Sequence, residues 1–146
     1  MKKSLFVSVI AALAMAACEK PPVAQQAGAS DVLPVAKVAG KEYKIDAKTS
    51  KITWVGTKVT GRHNGTINLK EGVVVVKDGA VVAGRFVTDM ASIDDKDLTG
   101  EYHEKLNKHL RSEDFFDAVK HPEGVFEISS VEKSASGYTV KGNLTL

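Results

Sequence analysis

The chain has very little cysteine and few aromatic residues, and these shortages narrow its fold and function. Its one cysteine, Cys18, has no partner within the chain, so a disulfide framework is excluded. Basic and acidic side chains nearly balance, at 20 Lys and Arg against 18 Asp and Glu. Because nucleic-acid binding depends on basic side chains that neutralise phosphates, a nucleic-acid partner is not expected.

Long apolar runs are absent apart from one near the N-terminus. The run from Leu5 to Leu13 follows two lysines, is too short for a permanent membrane span and has the composition of a secretory signal. The Met-Ala-Ala-Cys sequence that ends at Cys18 resembles the lipobox of bacterial lipoproteins. We therefore expect removal of residues 1–17 and lipidation of Cys18. Cleavage near Ala17 as an ordinary signal peptide is the alternative.

The expected location follows from the same resemblance. Glu19, rather than an aspartate, comes after the cysteine, which in Gram-negative lipoproteins favours the outer membrane, so we expect a periplasmic or cell-envelope protein. Residues 18–41 contain three of the four prolines and no periodic pattern, which predicts a lipidated cysteine followed by a flexible tether. Residues 42–146 are one domain's worth of chain.

Alternation of apolar and polar residues dominates this domain and predicts β-strands. In GYTVKGNLTL, at residues 137–146, the alternation is clearest. Asp78-Gly79 between two apolar runs is typical of a tight hairpin, which would join strands at 73–77 and 80–90. Further strands are predicted at 43–46, 51–60, 66–70 and 124–134, which gives seven at most. Successive hairpins of this kind suggest an antiparallel sheet curled on itself.

The period changes between Thr99 and Arg111, where a helix is predicted. Tyr102, Leu106 and Leu110 would share one helical face, and Thr99 is the predicted N-cap.

The stretch HLRSEDFFD, residues 109–117, then predicts a turn that returns Phe115 and Phe116 to the sheet. Glu113, Asp114 and Asp117 are expected to stay in water.

Residue patterns typical of metal sites or catalysis are not found. His103 and His109 stand six apart, unlike the spacing of a zinc protease, and are interpreted as surface histidines. The acidic residues between Asp94 and Glu101 lack the spacing of a calcium loop and are interpreted as a solvated loop and helix start. No serine has a nucleophile-elbow context. We therefore expect no metal, no cofactor and no enzymatic activity.

Five blocks of the sequence together resemble the YceI family, from about Tyr43 to Leu146. They are YKIDAKTSKITWVG, GTINLKEG, FVTDMASI, DLTGEYHEKLNKHLRSEDFFDAVKHP and GYTVKGNLTL. The resemblance implies a mainly β fold, an antiparallel lipocalin-like β-barrel with a short helical insert. It also implies a periplasmic protein with an apolar channel that binds polyisoprenoid or similar amphiphilic lipids. Family members continue beyond the strand that matches Gly142 to Leu146, so we expect a fragment whose barrel is incomplete at the C-terminus.

The candidate lining residues of such a channel are apolar side chains at strand spacing, together with the phenylalanine pair. They are Trp54, Ile67, Leu69, Phe86, Met90, Phe115, Phe116, Phe126, Ile128 and Tyr138. Ordinary core packing is the alternative for this set, because one register slip would invert a strand.

Three functions are compatible with this reading of the sequence. The first is a lipid-binding envelope lipoprotein that holds or carries a polyisoprenoid or quinone-like lipid. The second is a non-enzymatic structural or stress-associated envelope module whose barrel is filled by its own side chains. The third, an enzyme on a lipid-like substrate, would need a convergent polar group in the lumen. The expected partners are the lipid, the membrane through Cys18 and, as a further expectation, a second copy of the chain in a homodimer.

Overall fold

The computed structural model describes residues 31–35, 37–135 and 137–146, which form a six-stranded antiparallel sheet and one helix. The strands are β1 (Lys41–Lys44), β2 (Ile52–Lys58), β3 (Gly61–Lys77), β4 (Ala80–Asp95), β5 (Glu123–Ser134) and β6 (Gly137–Thr145). Helix α1 (Gly100–Arg111) connects β4 to β5. No helix in this part of the chain has the length and apolar character needed to cross a membrane. The predicted signal and Cys18 lie outside the described residues.

Strands β3, β4, β5 and β6 form a meander in which each strand pairs antiparallel with the next. The other edge of β3 is shared by two short strands, β2 near its start and β1 along Val73–Val76. Among the described strands β6 pairs with β5 alone, so the sheet does not close. The expected fold class, an antiparallel lipocalin-like sheet that is incomplete as a barrel and carries a helical insert, is confirmed.

Strand β3 is longer than the alternation pattern predicts. The predicted strands at 66–70 and 73–77 are parts of one strand, because pairing with β4 continues through Glu71 and Gly72. The register with β4 shifts between Thr66 and Asn68 and again between Leu69 and Glu71. Such bulges bend a strand pair and increase its twist, so the long β3–β4 pair is bent at this level.

The predicted hairpin between β3 and β4 is confirmed. Asp78 and Gly79 have φ angles of 50° and 78°. Positive φ at both central residues is the conformation of a type I′ turn, whose twist matches that of the flanking strands.

Helix α1 covers one end of the sheet with its apolar side. Leu110 is buried there with Ile67, Met90, Ile93 and Ala118, and these five residues are called the end core below. Ile52, Trp54, Leu106 and Phe116 are half-buried against it. Of the three residues predicted to share one helical face, Leu106 and Leu110 pack against the sheet, whereas Tyr102 is 73% exposed and does not. Thr99 is the N-cap residue, although its side chain makes no capping hydrogen bond.

The turn after the helix folds back on the helix end. The backbone N–H groups of Phe115 and Asp117 donate to the carbonyl of Ser112 at 3.1 and 2.8 Å, and that of Phe116 donates to the carbonyl of Leu110 at 3.2 Å. Phe116 then packs against the end core. The prediction that at least one of the two phenylalanine rings packs against the sheet is thereby confirmed.

The other residues of the turn are less buried. Phe115 is 56% exposed and meets the Phe116 ring edge-on, with 4.6 Å between ring centroids. Glu113 and Asp114 are exposed, as expected. Asp117 is not fully in water, because its half-buried carboxylate lies 2.8 Å from Lys120 Nζ. The hydrogen bond and charge of Lys120 lower the pKa of Asp117 below its usual value.

Candidate functional site

One face of the sheet carries a continuous row of apolar side chains beyond the end core. Phe86 on β4 pairs directly with Phe126 on β5, which pairs with Leu144 on β6. Directly paired residues lie on the same face of a sheet. The two phenylalanine rings are stacked, with centroids 6.5 Å apart and an interplanar angle of 28°. We call the face that holds Phe86, Phe126 and Leu144 the phenylalanine face.

The aromatic rings of the sheet lie over glycines of neighbouring strands. A Cβ atom added at Gly142 would lie 2.6 Å from Phe126 Cζ, and one added at Gly72 would lie 3.2 Å from Phe86 Cδ1. Gly65 similarly accommodates the indole of Trp54, its partner across β2 and β3. Because no side chain stands beneath them, the rings lie close against the sheet.

The phenylalanine face is continuous with the end core. Gly124 pairs with Thr88 between the two regions, and a Cβ atom at Gly124 would lie 3.0 Å from the Met90 sulfur. The Thr88 hydroxyl donates to the Gly124 carbonyl at 3.2 Å, which satisfies the polar group on this face. The apolar surface therefore extends from the helix end, through Met90, to the two phenylalanines.

The opposite face of the same strands, called the polar face below, carries charged side chains beside the buried Val87. Arg85, next to Phe86, pairs across the strands with Glu127, and its guanidinium lies 3.3 Å from Glu71 and 3.6 Å from Glu127. Asn143 pairs with Glu127, and its side-chain amide exchanges two 2.8 Å hydrogen bonds with the backbone of Leu33. The last part of the predicted tether thus contacts this polar face.

The ten predicted lining residues fall into separate groups. One group lies in or against the end core and consists of Trp54, Ile67, Met90 and Phe116. A second group is the stacked pair Phe86 and Phe126 on the phenylalanine face. Ile128 belongs to this second group, because a Cβ atom added at Gly84 would touch both Phe86 and Ile128. Leu69 is buried opposite Thr88. Phe115 and Tyr138 are 56% and 57% exposed. The structure therefore brings eight of the ten to one apolar surface and its closed end.

Comparison with known proteins agrees with this architecture. The model of the YceI-like domain matches residues 43–146, which is most of the chain. The chain belongs to the YceI-like family. A UPF0312 protein of Yersinia enterocolitica is 50% identical over 44 residues, which are 30% of this chain and 23% of that protein. A UPF0312 protein of Yersinia pestis is 46% identical over the same lengths. The matched stretch thus spans about a quarter of these relatives.

This YceI-like domain also has a polar cluster at the end of β4, where the sequence predicts a solvated loop. Asp94 and Asp95 are the last residues of β4 rather than a solvated loop, and Asp95 is only 1% exposed. The solvated-loop interpretation is therefore wrong for Asp95. The cause is the pairing of Asp95 with Gly65 across β3 and β4, which local charge pattern does not reveal.

Two half-buried histidines flank these acids, on separate sides. His103 Nε2 lies 2.9 Å from Asp94 Oδ1, and Asn107 Nδ2 donates to the same oxygen at 2.7 Å. Lys96 also pairs with Asp94; its hydrogen bond is the main reason why the pKa of Asp94 is lowered, and Asn107 and His103 add to the effect. His103 is about a third exposed, and its ring also contacts β4 through Asp94.

His63 lies at the other side of the β4 end. Its Nδ1 atom is 3.0 Å from Asp97 Oδ2 and 4.0 Å from Asp95 Oδ2. The backbone N–H of Asn64 lowers the pKa of Asp97, and the hydrogen bond with His63 lowers it further. No sequence motif joins His63 to acids more than thirty residues away, so only the strand pairing brings them together.

Proposed function

We propose that this protein binds a polyisoprenoid or similarly long, amphiphilic lipid on the phenylalanine face. Members of the YceI-like family generally bind polyisoprenoids, and the family is one of binding proteins rather than of enzymes. Ligand sites of this kind are mostly apolar with few polar groups. The observation that carries the proposal is the stacked Phe86–Phe126 pair, which lies flat over glycines and is continuous with the end core.

The apolar side chains of this face are only partly covered by the other described residues, so they can offer contacts to a ligand. Phe86 and Phe126 are half-buried, and Leu144 beside them is 63% exposed. A contiguous exposed apolar surface is typical of a binding site. The end core and α1 close one end of it, so a lipid tail would run along the strands and stop at Met90 and Phe116.

The energetics favour recognition by tail length. Each fully buried methylene contributes about 0.8 kcal/mol, so a five-carbon isoprene unit adds at most about 4 kcal/mol, or about a thousandfold in affinity, where it is fully buried. The end core sets a limit, beyond which additional units would remain in water. Affinity should therefore rise with tail length and then level off.

The proposal predicts that lipid copurifies with the protein. The mature form without lipidation, produced with Cys18 replaced by serine, is extracted with organic solvent and the extract is identified by mass spectrometry. Recovery of an isoprenoid lipid at a constant ratio to protein is expected. If the extract holds no lipid above that of an unrelated envelope protein, and added isoprenoid quinones do not bind, a structural envelope module filled by its own side chains becomes the better explanation.

We further propose that the protein is a lipoprotein of the cell envelope, anchored through Cys18 to the outer membrane. The support is the lipobox-like sequence that ends at Cys18. Leu33, in the segment between Cys18 and the domain, donates a hydrogen bond to Asn143 on the polar face. Anchoring would keep the binding face close to membranes that contain isoprenoid lipids.

Substitution of Cys18 by serine is expected to move the protein from the membrane fraction to the soluble envelope fraction. The thermal unfolding midpoint of the domain should not change, because residues 41–146 provide the sheet and the end core. Fractionation followed by immunoblotting measures the first effect. Continued membrane association of the serine variant would show that Cys18 is not the anchor.

A further inference from the structure

Three atoms that could bind a metal ion face one place beside the start of β3. They belong to His63, Asp95 and Asp97. His63 Nδ1 lies 3.0 Å from Asp97 Oδ2 and 4.0 Å from Asp95 Oδ2, and all three atoms lie within 4.8 Å of one another. The three residues come from different segments, since His63 is in β3, Asp95 ends β4 and Asp97 is in the connection to α1. The fold therefore assembles a cluster that no local motif encodes.

Asp95 supplies an observation that is independent of this clustering. Its side chain has no exposed area, and its Oδ2 atom has no hydrogen-bond partner. The other oxygen, Oδ1, accepts from the backbone N–H of Leu98 at 2.7 Å and from that of Asp97 at 3.2 Å. Because a buried polar atom without a partner is costly, an oxygen held in this position requires an explanation.

Asp97 is held in the same way as Asp95. Its Oδ1 atom accepts from the backbone N–H of Asn64 at 2.7 Å, which leaves Oδ2 directed to His63. In both carboxylates, one oxygen is fixed by backbone donors and the other faces the shared point. Metal-binding carboxylates are commonly oriented by such outer hydrogen bonds.

The charge at this point suits a cation. Among the described residues, neither the Asp95 nor the Asp97 carboxylate pairs with a lysine or arginine, and His63 is the one basic side chain that contacts these carboxylates. Lys96, between them in sequence, pairs with Asp94 instead. Two carboxylates around one imidazole therefore offer two negative charges that only His63 can offset.

We infer that His63, Asp95 and Asp97 bind a divalent transition-metal ion, with Zn²⁺ as the best match. One imidazole nitrogen and two carboxylate oxygens are ligands that Zn²⁺ accepts at about 2.0–2.2 Å, and a fourth position would remain for water. The side chains of His63 and Asp97 are each about a third exposed and so have room to adjust to an ion. This inference does not depend on the proposed lipid function.

Such an ion would act as a structural tie at the closed end of the apolar face. It would join the start of β3 to the connection that leads into α1. The backbone N–H of Asp95 already donates to Asn107 Oδ1 in that helix at 2.8 Å. Metal binding would therefore fasten α1, and with it Leu110 of the end core, more firmly to the sheet.

The test is a Zn²⁺ titration of the chelator-treated protein, in a Cys18→Ser background so that the thiol cannot bind the metal. Calorimetry is expected to show one Zn²⁺ per chain and saturating Zn²⁺ to raise the unfolding midpoint. His63→Gln and Asp97→Asn should each weaken binding by at least about tenfold, since loss of even an outer-shell partner commonly costs that much. His103→Gln is the matched control, because His103 contacts the Asp94 carboxylate and the backbone carbonyl of Asp95 but none of the three ligand atoms.

Circular dichroism checks that each variant is folded. Because the Asp97 side chain is partly exposed, Asp97→Asn should fold and keeps the test valid if another variant unfolds. If wild type shows no Zn²⁺-dependent midpoint shift, the three residues form only an ion pair and the inference is overturned. Equal Zn²⁺ affinity in wild type, His63→Gln and Asp97→Asn would also overturn it, because the metal would then bind elsewhere.

Discussion

Replacing Phe116 by alanine is expected to lower the free energy of unfolding by about 3 kcal/mol, the lower end of the range for truncating a buried phenylalanine. The ring packs against the end core but remains half-buried, which is why the lower end applies. Its loss leaves a gap against the end core. Urea denaturation followed by circular dichroism measures the change, and the slope with urea should stay constant if the fold is retained.

Phe115, which immediately precedes Phe116 in the chain, provides the matched control. Its ring is 56% exposed and makes edge-on contacts with His109 and Phe116, with centroid distances of 5.6 and 4.6 Å. Phe115→Ala should therefore cost no more than about 1 kcal/mol, the contribution of an aromatic pair. An equal cost for the two variants would contradict the assignment of Phe116 as the packed ring.

The meander could be predicted because its signals are local. Alternation of apolar and polar residues marked the strands that became β5 and β6, and Asp78-Gly79 specified a turn with positive φ at both residues. The helix was also visible, since Leu106 and Leu110 repeat with its period. In each case the deciding interaction spans only a few residues.

The site required pairing information that local patterns do not contain. The position of Phe126 over Gly142, and of Phe86 over Gly72, depends on the registers of β4 with β3 and β5 with β6. The burial of Asp95 depends in the same way on its pairing with Gly65. A one-residue slip would move each of these side chains to the other face, and composition alone cannot distinguish the two registers.

A charge on the phenylalanine face is expected to abolish lipid binding. Phe126→Asp would place a carboxylate against the lipid tail, where it loses hydration without gaining a partner, so affinity should fall by at least about a hundredfold. Phe126→Leu keeps the surface apolar and should bind within about tenfold of wild type. The dissociation constants are measured with isoprenoid quinones of increasing length, through quenching of Trp54, the one tryptophan of the chain.

Two further variants separate a loss of binding from a loss of folding. Leu144→Asp places the same charge on the same face, opposite Phe126, at a side chain that is already 63% exposed and therefore tolerant of substitution. Thr145→Asp, one residue further along β6, places it on the opposite face, where Thr145 pairs with Val125. Binding should be lost in the first and retained in the second. Loss in both, or in neither, would show that the lipid does not use the phenylalanine face, whatever the stability of Phe126→Asp.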